Sequence, residues 1–227
     1  MRPSIRGMKL DPLNVAVRPH LALPLPHEPV LLPVQRTPRP YPLKEFVQAS
    51  PALDSDLVQL SPGVPLTLAL RLQDARGQAI RRAAVYVWHY DPCCWTLDVH
   101  DDDLRTVALM RGVQVSDEHG DLVFHTVYPG RYVDNSVPVY LRVYFNDGRH
   151  VLARADGCLL LPAQPVEVAG ELQISPAALP TLRKPAPLDT LSARSLRPDR
   201  LMADLEGGGL RAELTLHIDL DSTPRTH

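Results

Sequence analysis

Strict alternation of apolar and polar residues constrains the fold of this chain more than any other feature. From residue 210 to 220, Leu210, Ala212, Leu214, Leu216, Ile218 and Leu220 alternate with Arg211, Glu213, Thr215, His217 and Asp219. The segment from 64 to 72 repeats the pattern with Leu66, Leu68, Leu70 and Leu72. Successive side chains of a β-strand point to opposite faces, so this period of two predicts strands with one buried face. No stretch with a helical period is long enough to compete, and the sequence predicts an all-β protein.

Turn signals divide the rest of the chain into short segments. We expect strands at 83–90, 107–115, 122–128, 139–145, 151–154, 158–161 and 166–174, separated by turns rich in Gly, Pro, Asp and Asn. A short helical turn is expected near 199–205. About eight or nine short strands with turns between them indicate an antiparallel β-sandwich.

Proline sets the N-terminal region apart. Ten of the 24 prolines lie within the first 42 residues, a density that prevents long helices and central strands. We therefore expect an extended arm over 1–45 and a sandwich domain over 46–222. Because the arm carries Val30, Leu31, Leu32 and Val34, we expect it to pack on folded surface, either of its own domain or of a second subunit in a homo-oligomer.

Composition excludes several function classes. A formal net charge of -2 provides no electrostatic footprint for nucleic acid. No apolar run approaches the ~18 residues that span a bilayer, and no signal peptide is indicated. Three cysteines, at 93, 94 and 158, do not make a disulfide framework, which favours a reducing cytoplasm.

Four segments resemble one known family. GVPLTLALRLQDARGQAIRRAAVYVWHYD (63–91) and MRGVQVSDEHGDLVFHTVYPGRY (110–132) are similar to the GVPL, V-x-x-W-H-x-D and RGxQxTDxxGxxxFxTxYPGxY stretches of intradiol ring-cleavage dioxygenases. RTPRPYPL (36–43) resembles the family's TxGPYY segment, and LRAELTLHIDL (210–220) resembles its last strand. The resemblance implies a β-sandwich whose active members cleave catechol-type rings between the hydroxylated carbons.

The resemblance also implies a site in which two tyrosines and two histidines hold Fe(III). Phenolate oxygens stabilise ferric iron and imidazoles complete its shell. Tyr132 matches the second tyrosine, whereas the first falls at Trp95 or Thr96. The two histidine positions fall on Val139 and Leu141, and Ser136 and Val137 replace the arginine that precedes them in active members.

Three of the four ligand positions are therefore substituted, and we expect no bound cofactor. The sequence favours a non-catalytic homologue that acts as a binding or structural protein, with a small aromatic ligand or a protein as its partner. The alternative is an active non-haem iron dioxygenase that holds Fe(III) through variant ligands, and whether the chain is an enzyme stays open. Aromatic catabolism in the cytoplasm is the family's usual setting.

A few other polar residues invite a functional interpretation. His100, Asp101, Asp102 and Asp103 form the densest set of hard ligands, but consecutive carboxylates cannot all face one cation, and a solvated loop is the favoured interpretation. His89 and His125 lie within predicted strands, where a buried, hydrogen-bonded histidine is expected. Cys93 and Cys94 lack a basic neighbour in sequence that would lower a thiol pKa.

Overall fold

A computed structural model describes residues 28–42, 64–90, 109–129, 131–132, 137–162, 181–182, 193–204 and 209–221. Every regular element in these ranges is a strand, which confirms the all-β prediction. The strands are β1 (Leu31–Pro33), β2 (Gln35–Pro42), β3 (Pro65–Asp74), β4 (Ala84–Tyr90), β5 (Leu109–Val115), β6 (Asp121–Val127), β7 (Arg131–Tyr132), β8 (Val137–Asn146), β9 (His150–Leu161), β10 (Thr181–Leu182), β11 (Arg194–Leu196), β12 (Arg200–Asp204) and β13 (Gly209–Asp219). Within the described ranges, no helix has the length and apolar character needed to cross a membrane.

The strands form two large sheets. Sheet I has the order β1-β13-β3-β6, with β12 also paired to β13; sheet II has the order β11-β9-β8-β4-β5, with β2 also paired to β9. A separate pair, β7 and β10, is parallel. The antiparallel sandwich is confirmed, and the structure adds parallel pairing of β13 with both β3 and β1 in sheet I, and of β11 with β9 in sheet II.

Alternation in sequence becomes alternation in burial. In β13, the even-numbered residues from Leu210 to Ile218 are at most 3% exposed, whereas the residues between them are half-buried. In β3, Leu66, Leu68 and Leu72 are at most 1% exposed. These side chains meet the inward face of sheet II in one continuous apolar cluster. Burial of each such side chain stabilises the fold by roughly 1.5–3 kcal/mol.

The N-terminal segment joins the two sheets. β1 pairs with the end of β13 in sheet I, and β2 then pairs with β9 in sheet II. Leu32 is fully buried and Val34 is 8% exposed, while Leu31 faces solvent. A Cβ added to Gly157 of β9 would lie 3.4 Å from a Leu32 methyl carbon. Leu32 therefore fills space beside Gly157 between the sheets. The domain boundary at residue 45 stays a prediction.

Two predicted elements differ from the structure. The prediction of a helical turn near 199–205 is wrong, because Arg200–Asp204 is a strand that pairs antiparallel with β13 and buries Leu201. The two strands predicted at 151–154 and 158–161 are a single strand, β9. The strand predicted at 166–174 lies outside the described residues.

Candidate functional site

β8 holds the positions that the resemblance assigns to the histidine pair. Val139 and Leu141 are 0% and 1% exposed and belong to the apolar cluster between the sheets. Their cross-strand neighbours are also apolar: Leu141 lies opposite Val87, and Val139 lies opposite Leu159. The inward face of β8 is therefore closed core, without a donor atom that could ligate a metal.

A shift of one residue in the alignment, in either direction, brings no histidine to these positions. It would place Pro138 and Tyr140 there, or Tyr140 and Arg142, on the opposite face of β8. No histidine occurs anywhere in Val137–Asn146. Among the described residues, no three His, Cys, Asp or Glu side chains come together in a group that could hold a metal ion.

Tyr132, the one matching ligand position, lies in the two-residue strand β7. Its backbone pairs in parallel with β10, where Leu182 lies opposite. The other candidates, Trp95, Thr96, Cys93 and Cys94 together with His100, Asp101, Asp102 and Asp103, lie outside the described residues. Their assignment stays a prediction.

His89 is a buried, hydrogen-bonded histidine, as predicted. It is fully buried on the inward face of β4, and its Nε2 atom lies 2.7 Å from Oγ1 of Thr126, which is also fully buried. Thr126 belongs to β6 of sheet I, so this contact joins the two sheets through polar atoms. Both polar side chains are satisfied inside the core, which indicates a structural role.

The prediction of a buried histidine is wrong for His125. It is exposed, because it occupies the outward face of β6, one residue before the inward-facing Thr126. Its Nδ1 lies 3.5 Å from Oγ1 of Thr67, and that hydroxyl donates a 2.6 Å hydrogen bond to Oδ2 of Asp204. Thr67 and Asp204 are 6% and 9% exposed. The Thr67–Asp204 hydrogen bond could not be predicted from the sequence, because the two residues are far apart in the chain and lie on the two strands that flank β13.

The outward face of sheet I also bears a groove of about 390 Å³ around Ala69, lined by both charged and apolar residues. Its charges are paired: Arg71 donates to both oxygens of Asp121 at 2.6 and 2.9 Å, and Glu213 lies 3.2 Å from Arg211 and 3.8 Å from Arg200. The hydrogen bond and charge of Asp121 raise the pKa of Arg71. The paired charges leave this groove without an excess of either sign.

The outward face of sheet II is aromatic. The rings of Tyr86 and Trp88 stack with centroids 5.0 Å apart, and those of Trp88 and Tyr140 stack at 5.5 Å. Arg142 donates to both carboxylate oxygens of Asp156. Burial by itself would lower the pKa of Arg142, but the hydrogen bond and charge of Asp156 raise it. Sequence alternation predicts that Tyr140 and Arg142 share a face, but not that they lie beside Trp88.

The two-sheet architecture is similar to that of solved dioxygenase structures. One solved dioxygenase is 18% identical, with a TM-score of 0.50, and the match covers 88% of this chain and 98% of that one. The chain has the intradiol dioxygenase fold. An intradiol ring-cleavage dioxygenase from Tetranychus urticae is also 18% identical over 79% of this chain and 91% of its own, with a TM-score of 0.49. The dioxygenase domain of a dioxygenase–carbohydrate-binding fusion from Streptomyces sp. SirexAA-E is 18% identical over 75% and 90%, with a TM-score of 0.44.

This likeness extends to the fold and no further. No protein-family model matches the sequence, and no curated protein matches it either. The intradiol resemblance predicted from the sequence motifs is confirmed as a likeness of fold.

Proposed function

We propose that this chain is a non-catalytic protein with the intradiol dioxygenase fold, which binds a ligand or a partner and does not cleave catechol rings. The observation that supports this proposal most strongly is the burial of Val139 and Leu141, at 0% and 1% exposure, inside the apolar core. A substrate and a metal need open space with donor atoms, and these two positions provide neither.

The chemistry of the donor set supports the same proposal. Fe(III) sites of the family pair phenolates with imidazoles, because these ligands stabilise the ferric state while leaving room for substrate. Aliphatic side chains have no lone pair to donate, and β8 lacks histidine in either alignment. Fe(III) therefore does not fit the described part of this site. The bound species is an aromatic small molecule or a protein, in the cytoplasm.

Iron loading of the purified full chain tests this proposal. The protein is incubated with Fe(III), desalted, and measured by elemental analysis and visible absorbance, with an active intradiol dioxygenase treated in parallel as a positive control. We expect iron far below one atom per chain and no tyrosinate-to-iron charge-transfer band. Catechol and protocatechuate should remain unchanged under oxygen.

The Tyr132→Phe variant supplies the outcome that would overturn the proposal. Stoichiometric iron, with a visible band that disappears in this variant, would overturn the proposal and restore the hypothesis of an active enzyme with variant ligands. The double variant Val139→His with Leu141→His should remain free of iron, because Trp95 or Thr96 occupies the first tyrosine position and no arginine precedes the pair.

A further inference from the structure

A short side chain in the middle of a row of longer ones forms the groove on the outward face of sheet I. In the strand registers, Ala69 of β3 lies between Glu213 of β13 and Val123 of β6, and Arg200 of β12 extends the row beyond Glu213. All four residues line the groove, whose volume is about 390 Å³. Pockets that hold small molecules measure roughly 300–1,000 Å³, so this groove is large enough for one.

The charged side chains of this groove are accessible to a ligand. Arg71 donates to both carboxylate oxygens of Asp121, and Glu213 is paired with Arg211 and Arg200. These five side chains are between 33% and 55% exposed. A ligand that enters the groove therefore meets guanidinium and carboxylate groups side by side.

The ion pairs leave hydrogen-bonding capacity unused. A guanidinium carries five N–H donors, and an ionised carboxylate has about four acceptor sites. Arg71 uses two of its donors, both on Asp121, and the others have no partner among the described residues. Glu213 accepts one hydrogen bond, from Arg211, and keeps acceptor sites unused. The groove thus offers spare donors and spare acceptors at the same time.

The charges of the groove balance. Its three arginines are matched by three carboxylates, those of Asp121, Asp199 and Glu213. An ionic ligand would lose hydration in the groove and would have to displace one of the existing pairs, which costs free energy. A hydroxyl group both donates and accepts, so it needs only the spare capacity of the pairs. The groove therefore favours a neutral ligand rich in hydroxyl groups over an ion of either sign.

An apolar strip lies between these polar groups. Val123 is 36% exposed, and Ala69 beside it is half-buried. A sugar ring has an apolar face of C–H groups and a rim of hydroxyl groups. Such a ring can rest on Ala69 and Val123 while its hydroxyl groups reach the charged side chains on either side.

We infer that this groove binds a neutral carbohydrate. The ring packs on Ala69 and Val123, and its hydroxyl groups bond to the Arg71–Asp121 pair and to Glu213 with Arg211. The inference goes beyond the proposed function, because the groove lies on sheet I and uses no residue of β8.

Cellotriose and maltotriose are the probes for this site, because they are neutral trisaccharides that differ in linkage. A nitrogen–proton correlation spectrum of the full chain shows the Nε–H resonance of Arg71, which the Arg71→Gln variant identifies. Titration with at least one of the two should shift this resonance with a saturable dependence at millimolar concentration. Trigalacturonate, which is anionic, and a trimer of glucosamine, which is cationic, should each bind at least tenfold more weakly.

Three variants separate a site from a general surface effect. Ala69→Ile fills the depression with a residue suited to a strand, keeps every charge, and should weaken binding at least tenfold. Arg211→Gln removes hydrogen-bond donors and should weaken binding about tenfold. Arg81→Gln is the matched control, because it breaks the exposed 3.0 Å pair with Glu118 outside the groove, and it should leave the affinity unchanged. The dispersion of each spectrum verifies that the variant is folded.

The inference is overturned if neither neutral trisaccharide shifts the Arg71 resonance at millimolar concentration. It is also overturned if the charged trimers bind as tightly as the neutral ones, or if Ala69→Ile and Arg211→Gln both bind like the parent. These outcomes are distinct from failure of the proposed function, which is read from iron content. An iron-free protein that ignores both trisaccharides contradicts only the carbohydrate site.

Discussion

His89 and Thr126 join the two sheets across the core: Nε2 of the histidine lies 2.7 Å from Oγ1 of the threonine, and both residues are fully buried. The rest of this interior is mainly aliphatic. The His89–Thr126 contact is therefore a directional hydrogen bond within a core that is otherwise held by non-directional apolar packing. A buried hydrogen bond of this kind fixes the relative position of β4 and β6.

Removing the hydroxyl should therefore destabilise the fold. Thr126→Val keeps the shape of the side chain and deletes the donor and acceptor, and we expect a loss of about 1–3 kcal/mol in the free energy of unfolding. Urea unfolding monitored by circular dichroism measures it. Thr215→Val on β13 is the matched control, because Thr215 is half-buried and its hydroxyl makes no hydrogen bond with the described residues. Equal stability losses in both variants would contradict a structural role for the His89 contact.

Leu216 and Leu220 belong to the same apolar set in the sequence, and they test where along the chain the buried face of β13 ends, because β13 stops at Asp219. Leu216 is fully buried, whereas Leu220 is 45% exposed. Leu216→Ala should lower the free energy of unfolding by roughly 2–5 kcal/mol, because it removes buried methyl groups and leaves a cavity. Leu220→Ala should change it by less than about 0.5 kcal/mol. A small effect at Leu216 would show that its face is not packed.

Gly120 ends the turn between β5 and β6 with a backbone φ of +81°. A Cβ at this position would lie 2.5 Å from the carbonyl oxygen of Leu72, which is closer than non-bonded atoms approach. Gly148 has a similar φ of +87° but open space around it. Both alanine variants incur the cost of roughly 1–2 kcal/mol for a left-handed residue.

We expect Gly120→Ala to be the less stable of the two by at least about 1 kcal/mol, since only it adds a collision with backbone. Thermal unfolding of the two variants under the same conditions gives the difference. Equal stabilities would mean that the turn moves away from Leu72 without cost.

Tyr128 should make the fold sensitive to alkali. It is 1% exposed, its hydroxyl donates a 2.6 Å hydrogen bond to the carbonyl oxygen of Pro162, and burial raises the pKa of its phenol well above the ordinary 10.0. The native state keeps the proton after the unfolded chain has lost it. The contribution of the protonated Tyr128 phenol to the free energy of unfolding is therefore complete below pH 10, and it declines as the pH rises above that value.

Tyr128→Phe removes this linkage. Above pH 10, the free energy of unfolding of the parent should fall more steeply than that of the variant, by about 1.4 kcal/mol per pH unit. At neutral pH the variant should be less stable by about 1 kcal/mol, because it lacks the bond to Pro162. Urea unfolding at several pH values measures both effects, and parallel pH profiles would contradict the burial of an un-ionised phenol.

The local pattern of residues was sufficient to predict the main strands and their inward faces. Leu66 and Leu216 could be assigned to the core because period-two alternation depends only on neighbouring residues. The turn that contains Gly120 could be predicted as well, since its Asp and Gly residues act within four positions. The fold likeness was also predicted from motifs, because those motifs combine strand faces with turn residues in a fixed order.

Tertiary structure decided the features that depend on a partner strand. Arg200–Asp204 has too short a pattern to be recognised alone, and it becomes a strand because the edge of β13 offers it hydrogen bonds. His125 and Thr126 are adjacent in sequence, yet one is exposed and the other is buried, since only the packing of β6 against sheet II determines which face is inside. The meeting of Trp88 with Arg111 and Tyr140 likewise depends on the register of three strands. Alternation in the sequence shows that a strand has a buried face and an exposed face. Which strands lie beside it depends on long-range pairing, which cannot be predicted from the local pattern of residues.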